Sequence, residues 1–475
     1  MKVCSIYGAG FYYIPGTDTC LKVGGFVRYE YTFNSGGSHT PYWSGAVARD
    51  TRQDTPFYNT RARGVISFDA RSQTEWGTLR SYLRAGWDFN SDTTELGAEG
   101  SYRGNRYFDR AFIQFAGLTV GKTQSFFDFY ADALNYTPSI ITGSDTGIGN
   151  NLIAYTATFG GGFSATVSLE ENTHRRVGLY DASTDGIVIG ATPGLPQPTY
   201  GNYAAERYPD IVGNLRVDQP WGSAQIMGAI HDASASCYGT FCVGPTGANF
   251  EAQDATGFAI GGGIKLNVPW AQGDELWLQG TYANGAASYL GFNRYLSTPV
   301  LAMYRTAGAA AGNVLPALGG SVGAAWAFDG VFQTGGPVEL TEGFQFNAAF
   351  QHYWTPALRT SVFGGYSELS FPGTTTTGTR GAFCTGTFAA IFVSNPAANA
   401  GCNPDFSVTQ VGTRTIWSPV KNLDIGVEVL YTRLDQNFDG TFIAAPGGGR
   451  APSTFNAKDQ DTWSGTLRFQ RNFWP

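Results

Sequence analysis

The chain lacks any run of about 20 consecutive apolar residues, which excludes a helical transmembrane span. Charge is scarce: Asp, Glu, Lys and Arg make up 14% of 475 residues. Lys plus Arg number 30 against 37 Asp plus Glu, a net charge of −7. Without a basic excess, no nucleic acid partner is expected. Histidine is rare too. His39, His174, His231 and His352 are scattered and show no metal-ligand spacing. Gly319-Gly-Ser321-Val-Gly323 has the outline of a nucleophile elbow, but it lies in a Gly-rich connection without the strand–turn–helix context that motif needs. No phosphate-cradling loop is present, so neither an enzyme nor a bound cofactor is expected. No charged, then apolar, leader precedes Met-Lys-Val-Cys, and the expectation is a mature chain without a signal peptide.

Glycine (64 residues) and aromatics (15%) are abundant instead. The aromatic content argues against disorder, and the glycines follow no three-residue period, which rules out a collagen-like chain. Six cysteines group locally as Cys4/Cys20, Cys237/Cys242 and Cys384/Cys402. An even number in local pairs points to three loop-closing disulfides and an oxidising compartment. Spacing does not fix connectivity, and scattered free thiols are the alternative.

The dominant signal is alternation with a period of two. In 163–170, Phe163, Ala165, Val167 and Leu169 face one way, and Ser164, Thr166, Ser168 and Glu170 the other. In 423–431, Leu423, Ile425, Val427, Val429 and Tyr431 oppose Asp424, Gly426 and Glu428. About sixteen such segments occur, each of ~8–13 residues, long enough to cross a bilayer as tilted strands. They span 21–31, 59–71, 77–88, 106–116, 119–125, 150–159, 162–170, 208–217, 222–231, 256–267, 275–284, 341–353, 358–369, 406–416, 422–433 and 462–473. Those at 119–125, 275–284, 358–369 and 406–416 alternate poorly. Connections between segments are in turn short and long. Several short ones pair Trp with Pro, as in Pro220-Trp221, Pro269-Trp270, Trp354-Thr-Pro356 and Trp417-Ser-Pro419. Pro ends a strand, and Trp suits a membrane edge. Seven short turns and eight long loops describe an all-β, 16-stranded antiparallel transmembrane barrel, with short periplasmic turns and long extracellular loops. Closure removes the edges that so many strands would otherwise expose. A soluble all-β fold is the alternative.

Three stretches carry a family resemblance. Val3-Cys-Ser-Ile-Tyr-Gly-Ala-Gly-Phe-Tyr-Tyr-Ile-Pro-Gly-Thr-Asp-Thr-Cys-Leu-Lys-Val-Gly-Gly-Phe-Val-Arg28 resembles the start of mature alphaproteobacterial outer-membrane porins of the rhizobial and Brucella type. Arg110-Ala-Phe-Ile-Gln-Phe-Ala-Gly-Leu-Thr-Val-Gly-Lys-Thr-Gln-Ser-Phe-Phe-Asp128 and Leu467-Arg-Phe-Gln-Arg-Asn-Phe473 are similar to later parts of those proteins, although the terminal Pro475 departs from the usual Phe. The resemblance implies a trimeric general diffusion porin whose third long loop folds into the barrel. One barrel domain over 1–475 is expected, with an N-terminal segment 1–20, strands and loops over 21–473, and a constriction loop at 126–149. Residues 1–20 either tuck under the periplasmic side, clamped by a Cys4–Cys20 bond, or extend the wall.

In such a pore, width limits solute size, and charge on opposite walls sets ion preference. Asp128, Asp132 and Asp145 on the third loop are the acidic candidates. Arg28, Arg61, Arg63, Arg80, Arg84 and Arg110 share the polar parity of the early strands and are the basic candidates, because a midplane Arg facing lipid costs ~2–4 kcal/mol. The expected function is passive diffusion of small hydrophilic solutes and ions. The expected partners are two further copies in a homotrimer, outer-membrane lipid and lipopolysaccharide. Structural Ca²⁺ in the acidic loops is compatible with the composition. A channel selective for sugars or small anions is the alternative on the same barrel, and a surface adhesin a more distant one.

Overall fold

Sixteen antiparallel strands close into a barrel in the computed structural model. It describes residues 3–36, 40–41, 58–91, 105–137, 143–144, 149–182, 203–235, 254–292, 300–305, 320–332, 336–374, 377–385, 402–444 and 453–473. The strands are β1 (Cys20–Phe33), β2 (Tyr58–Thr74), β3 (Gly77–Asn90), β4 (Asn105–Phe115), β5 (Leu118–Thr123), β6 (Asn150–Gly160), β7 (Phe163–Glu170) and β8 (Asp210–Gln219). They continue as β9 (Gly222–Asp232), β10 (Thr256–Asn267), β11 (Glu275–Asn284), β12 (Glu342–Thr355), β13 (Leu358–Ser370), β14 (Phe406–Val420), β15 (Leu423–Gln436) and β16 (Gln460–Phe473). Each pairs with its neighbours in sequence. The ring closes where β16 meets β1, with Gly25 opposite Phe473 and Phe33 opposite Gly465. Every expected strand is present, the poorly alternating ones included.

Short turns need residues that tolerate positive φ. Ala116 and Gly117, at φ 48° and 86°, form the two-residue turn between β4 and β5, the geometry that matches strand twist in tight hairpins. At the same end of the barrel Trp76, Trp270, Trp354 and Trp417 stand 71%, 74%, 61% and 52% exposed, as an aromatic girdle at a bilayer interface would be.

The outer face decides between the membrane and soluble readings. Val27, Val167, Leu215, Ile226 and Val427 are 50–64% exposed on strands spread around the ring. The polar residues between them, such as Glu30, Thr166, Asn214, Gln225 and Glu428, are buried on the inside. A soluble fold does not turn its apolar stripe outward on every strand, whereas a lipid-facing barrel does. The chain is thus a multi-pass, lipid-facing β-barrel. None of its described helices is long and apolar enough to cross a bilayer.

The N-terminal segment combines a feature of each alternative. The Cys4–Cys20 disulfide clamps it. Tyr12–Tyr13 pairs with Cys20 and Leu21 at the foot of β1, beyond Gly25, where the described pairing with β16 ends.

Described parts of the long loops pack together. Leu179–Asp181 runs parallel to Gly330–Phe332. Tyr180, Trp326, Phe328, Phe371 and Phe383 are fully buried together. Asp329 ties the loops: its carboxylate accepts N–H bonds from Val177 (3.1 Å) and Ala287 (2.6 Å) and the Tyr203 hydroxyl. This cap explains the poor alternation of two strands. Phe406 and Val408 on β14 and Leu369 on β13 point inward but meet protein instead of water. The Cys384–Cys402 bond secures the cap, while Cys237 and Cys242 lie outside the described residues. Closing an 18-residue separation contributes ~3 kcal/mol. Reduction should therefore speed protease cleavage of the cap in detergent-held protein, while the barrel keeps its folded mobility on unheated gels. Equal cleavage rates with and without reductant would contradict this.

Candidate functional site

The third long loop, described over 124–137 and at 143–144 and 149, turns into the barrel directly after β5. Its backbone has no ladder partner there, so inward-facing side chains satisfy it. The Phe126 N–H donates to Glu170 Oε1 (3.0 Å), and its carbonyl accepts from Asn214 Nδ2 (2.7 Å) and Gln225 Nε2 (3.3 Å). Farther along, the Tyr130 N–H donates to Gln279 Oε1 (2.9 Å), and Ser361 Oγ donates to the Leu134 carbonyl (2.7 Å). On the opposite wall Glu428 accepts from the Tyr136 N–H, the Thr137 N–H (2.9 Å) and the Thr137 hydroxyl (2.7 Å). The loop thereby reaches from β7 and β8 to β15.

Aromatic side chains seat it. Phe129 occupies the space over Gly263, where a Cβ would lie 2.3 Å from the ring, and it packs on Trp277 at 5.3 Å. Tyr136 sits over Gly426 in the same way, its hydroxyl 2.1 Å from a would-be Cβ. The ring of Tyr136 lies 3.6 Å from the Arg468 guanidinium and 4.9 Å from that of Arg414. Burial pushes the Tyr130 and Tyr136 phenols above their ordinary values. Tyr130 stays protonated and donates to Asn135 Oδ1 (2.7 Å). Ala131 and Asp132, at φ 38° and 61°, form a left-handed kink, unusual for Ala and held by the bonds on either side.

The acidic candidates separate. Asp128 accepts from the Ser144 hydroxyl and lies 3.8 Å from Arg175 of the next long loop. Its side chain is 1% exposed, so its charge is matched between two loops instead of being presented to the lumen. Asp132 is half-buried and accepts from Asn135 Nδ2 (2.8 Å). Asp145 lies outside the described residues.

The basic candidates come together. All six lie on the inner face of β1–β4, alternating with exposed Val27, Tyr29, Ile66, Leu83 and Ile113. Carboxylates interleave with them. Glu30, fully buried, binds Arg61 (2.8 Å) and Arg468 and lies 3.8 Å from Arg28. Asp88 pairs with Arg63, and Asp109 with Arg84 and Arg110. Asp69 accepts from both Arg71 (2.8 Å) and Arg80 (3.0 Å). With Lys22 and Arg71 on these strands and Arg468 on adjoining β16, nine cations stand against four carboxylates among the described inward-facing residues of these five strands.

Sequence reasoning missed Asp88, Asp109, Arg414 and Arg468 among the charges, and the loop-anchoring roles of Gln279, Ser361 and Glu428. Arg468 carried a signal, since it shares parity with Gln470 opposite Leu467 and Phe469. Asp109 had none. It sits where the β3–β4 register shifts, and a bulge breaks the parity by which neighbours are assigned. Among the described residues no three His, Cys, Asp or Glu side chains are grouped to hold a metal.

Residues 1–466 match the family described as the Porin subfamily. The chain is 33% identical over 233 residues to Porin Omp2b of Brucella canis and 34% identical over 233 residues to Porin Omp2b of Brucella abortus (strain 2308). Each match takes in 47% of this chain and 54% of the relative, so the chain spans about half the length of the curated relatives it matches. Among solved structures, the outer membrane channel DcaP of Acinetobacter baumannii is similar with a TM-score of 0.57 and 15% identity, covering 97% of this chain and 99% of that one. At that identity the likeness concerns the fold alone.

Proposed function

This chain belongs to the Porin subfamily, and we propose that it forms a passive, water-filled channel for small hydrophilic solutes and ions, narrowed by the inward-folded loop 126–149. One observation carries the reading. The loop is held across the barrel interior by Gln279, Ser361 and Glu428, while the arginine wall of β1–β4 stays 12–36% exposed at Arg28, Arg63, Arg80, Arg84 and Arg110. Such a layout leaves the passage between loop and arginines, where pore width screens size and the wall's field acts on charge. Asp132 is the loop carboxylate proposed to face the basic wall. The working unit is proposed to be a homotrimer embedded in outer-membrane lipid and lipopolysaccharide.

Single-channel recording in planar bilayers tests this. Discrete, long-lived conductance steps appearing in threes are expected. A silent membrane over protein that is folded on unheated gels would overturn the channel, and single steps alone would overturn the trimer.

A further inference from the structure

Register places arginine directly opposite arginine three times on one wall. Arg28 faces Arg63 across β1–β2, Arg84 faces Arg110 across β3–β4, and Arg71 faces Arg80 across β2–β3. Like charges directly opposite each other on a sheet are destabilising, so three such doublets call for a reason. The carboxylates beside them supply half of it. Asp109 bridges one doublet, Asp69 bridges another, and Asp88 and Glu30 flank the third. They hold the guanidiniums in fixed orientations; among the described residues these are four carboxylates beside six guanidiniums.

The doublets are also spaced evenly. On β2 they fall at Arg63, at Ser67 (which pairs with Arg84) and at Arg71, steps of four residues or ~13 Å along the strand. The first gap is apolar, and the second sets two aromatic rings beside Asp69 and Lys22. Phe26 and Val65 occupy the first gap, and Arg28 stacks on Phe26 at 4.7 Å. Tyr82 and Phe112 occupy the second, and Arg80 lies 5.1 and 5.2 Å from their rings. Guanidinium pairs with partly exposed edges on low-dielectric surroundings are suited to planar oxyanions, which they bind through two parallel N–H bonds.

We infer that the three arginine doublets are successive binding stations for small dianionic solutes carrying carboxylate or phosphate groups, and that the pore prefers anions. A dianion spans both guanidiniums of a doublet, offsets their repulsion, and passes to the next about one step below. This rests on the channel reading and names the solute class of that same pore. It runs against the net charge of the whole chain, because ion preference depends on the narrow wall and not on the total.

The test uses full-length protein in planar bilayers. Under a roughly tenfold KCl gradient, the reversal potential should give a chloride-over-potassium permeability ratio of about 3 or more. Added succinate should lower the chloride current saturably, inorganic phosphate should do the same, and neutral succinamide of like size should not. Arg63→Gln and Arg84→Gln should each move the ratio toward 1 and weaken succinate block by about threefold or more. An open channel that prefers potassium, or that succinate and succinamide affect equally, overturns this inference and leaves the channel reading standing. Unchanged ratio and block in both variants also overturns it. If a variant fails to assemble, the wild-type comparison of succinate with succinamide still decides. A silent membrane removes both readings.

Discussion

Val427→Arg is expected to destabilise the folded protein strongly in a bilayer. Val427 is half exposed on β15, between Thr415 of β14 and Leu467 of β16. In a soluble protein an exposed Val→Arg change typically shifts stability by no more than about 0.5 kcal/mol. On a lipid face near the midplane it costs ~2–4 kcal/mol. At about 1.4 kcal/mol per decade, that is a loss of about 30- to 700-fold in the folding equilibrium. Refolding into phosphatidylcholine vesicles, scored by mobility on unheated gels across a urea series, measures it directly. Val427→Leu should fold like the parent. Wild-type behaviour of Val427→Arg would mean that this face does not meet lipid.

The next residue looks the other way, and its loss should change the pore instead of the fold. Glu428 is 1% exposed and receives three hydrogen bonds from Tyr136 and Thr137. It also stands directly opposite Arg414. Glu428→Ala strips the loop tip of its acceptor and leaves Arg414 facing a methyl group. Breaking one side of a buried charged arrangement costs ~3–5 kcal/mol, more than the remaining contacts of a loop tip are expected to offset. The tip should leave the wall, giving larger and more variable single-channel conductance and admitting larger sugars in liposome swelling. Glu428→Gln keeps one acceptor oxygen and should lie between the two. Conductance and size limit unchanged in Glu428→Ala would show that the loop is held from elsewhere.

These neighbouring positions mark how far the sequence could be read. Val427 and Glu428 were assigned to opposite faces by parity alone, because in a strand the side-chain direction follows from position. The same rule placed Arg28, Arg61, Arg63, Arg80, Arg84 and Arg110 on one face of the early strands. It failed where an inward face meets protein. Trp277 on β11 and Phe363 on β13 are inward aromatics packed in one cluster with Tyr130 of the loop. Their strands therefore alternate poorly on paper yet are regular in space. It also gave no purchase on 126–149, which has no period. Asp128 and Asp132 look equivalent in sequence, yet one closes against Arg175 and the other stays half-buried at the kink.

By itself the sequence determined the class of the molecule: a closed barrel, its sixteen strands, its membrane side and its polar lumen. All of these follow from local rules, the two-residue pleat and the chemistry of turns and interfaces. Only the tertiary structure decided which charges meet. Arg28 finds Gln470 at a separation of 442 residues, and Thr137 finds Glu428 at 291. The three arginine doublets exist only once a register is chosen, and shifting a strand by one residue would turn its arginines toward lipid. That choice belongs to the closed ring as a whole, since each strand's register is constrained by both neighbours, and no single segment of the chain contains it.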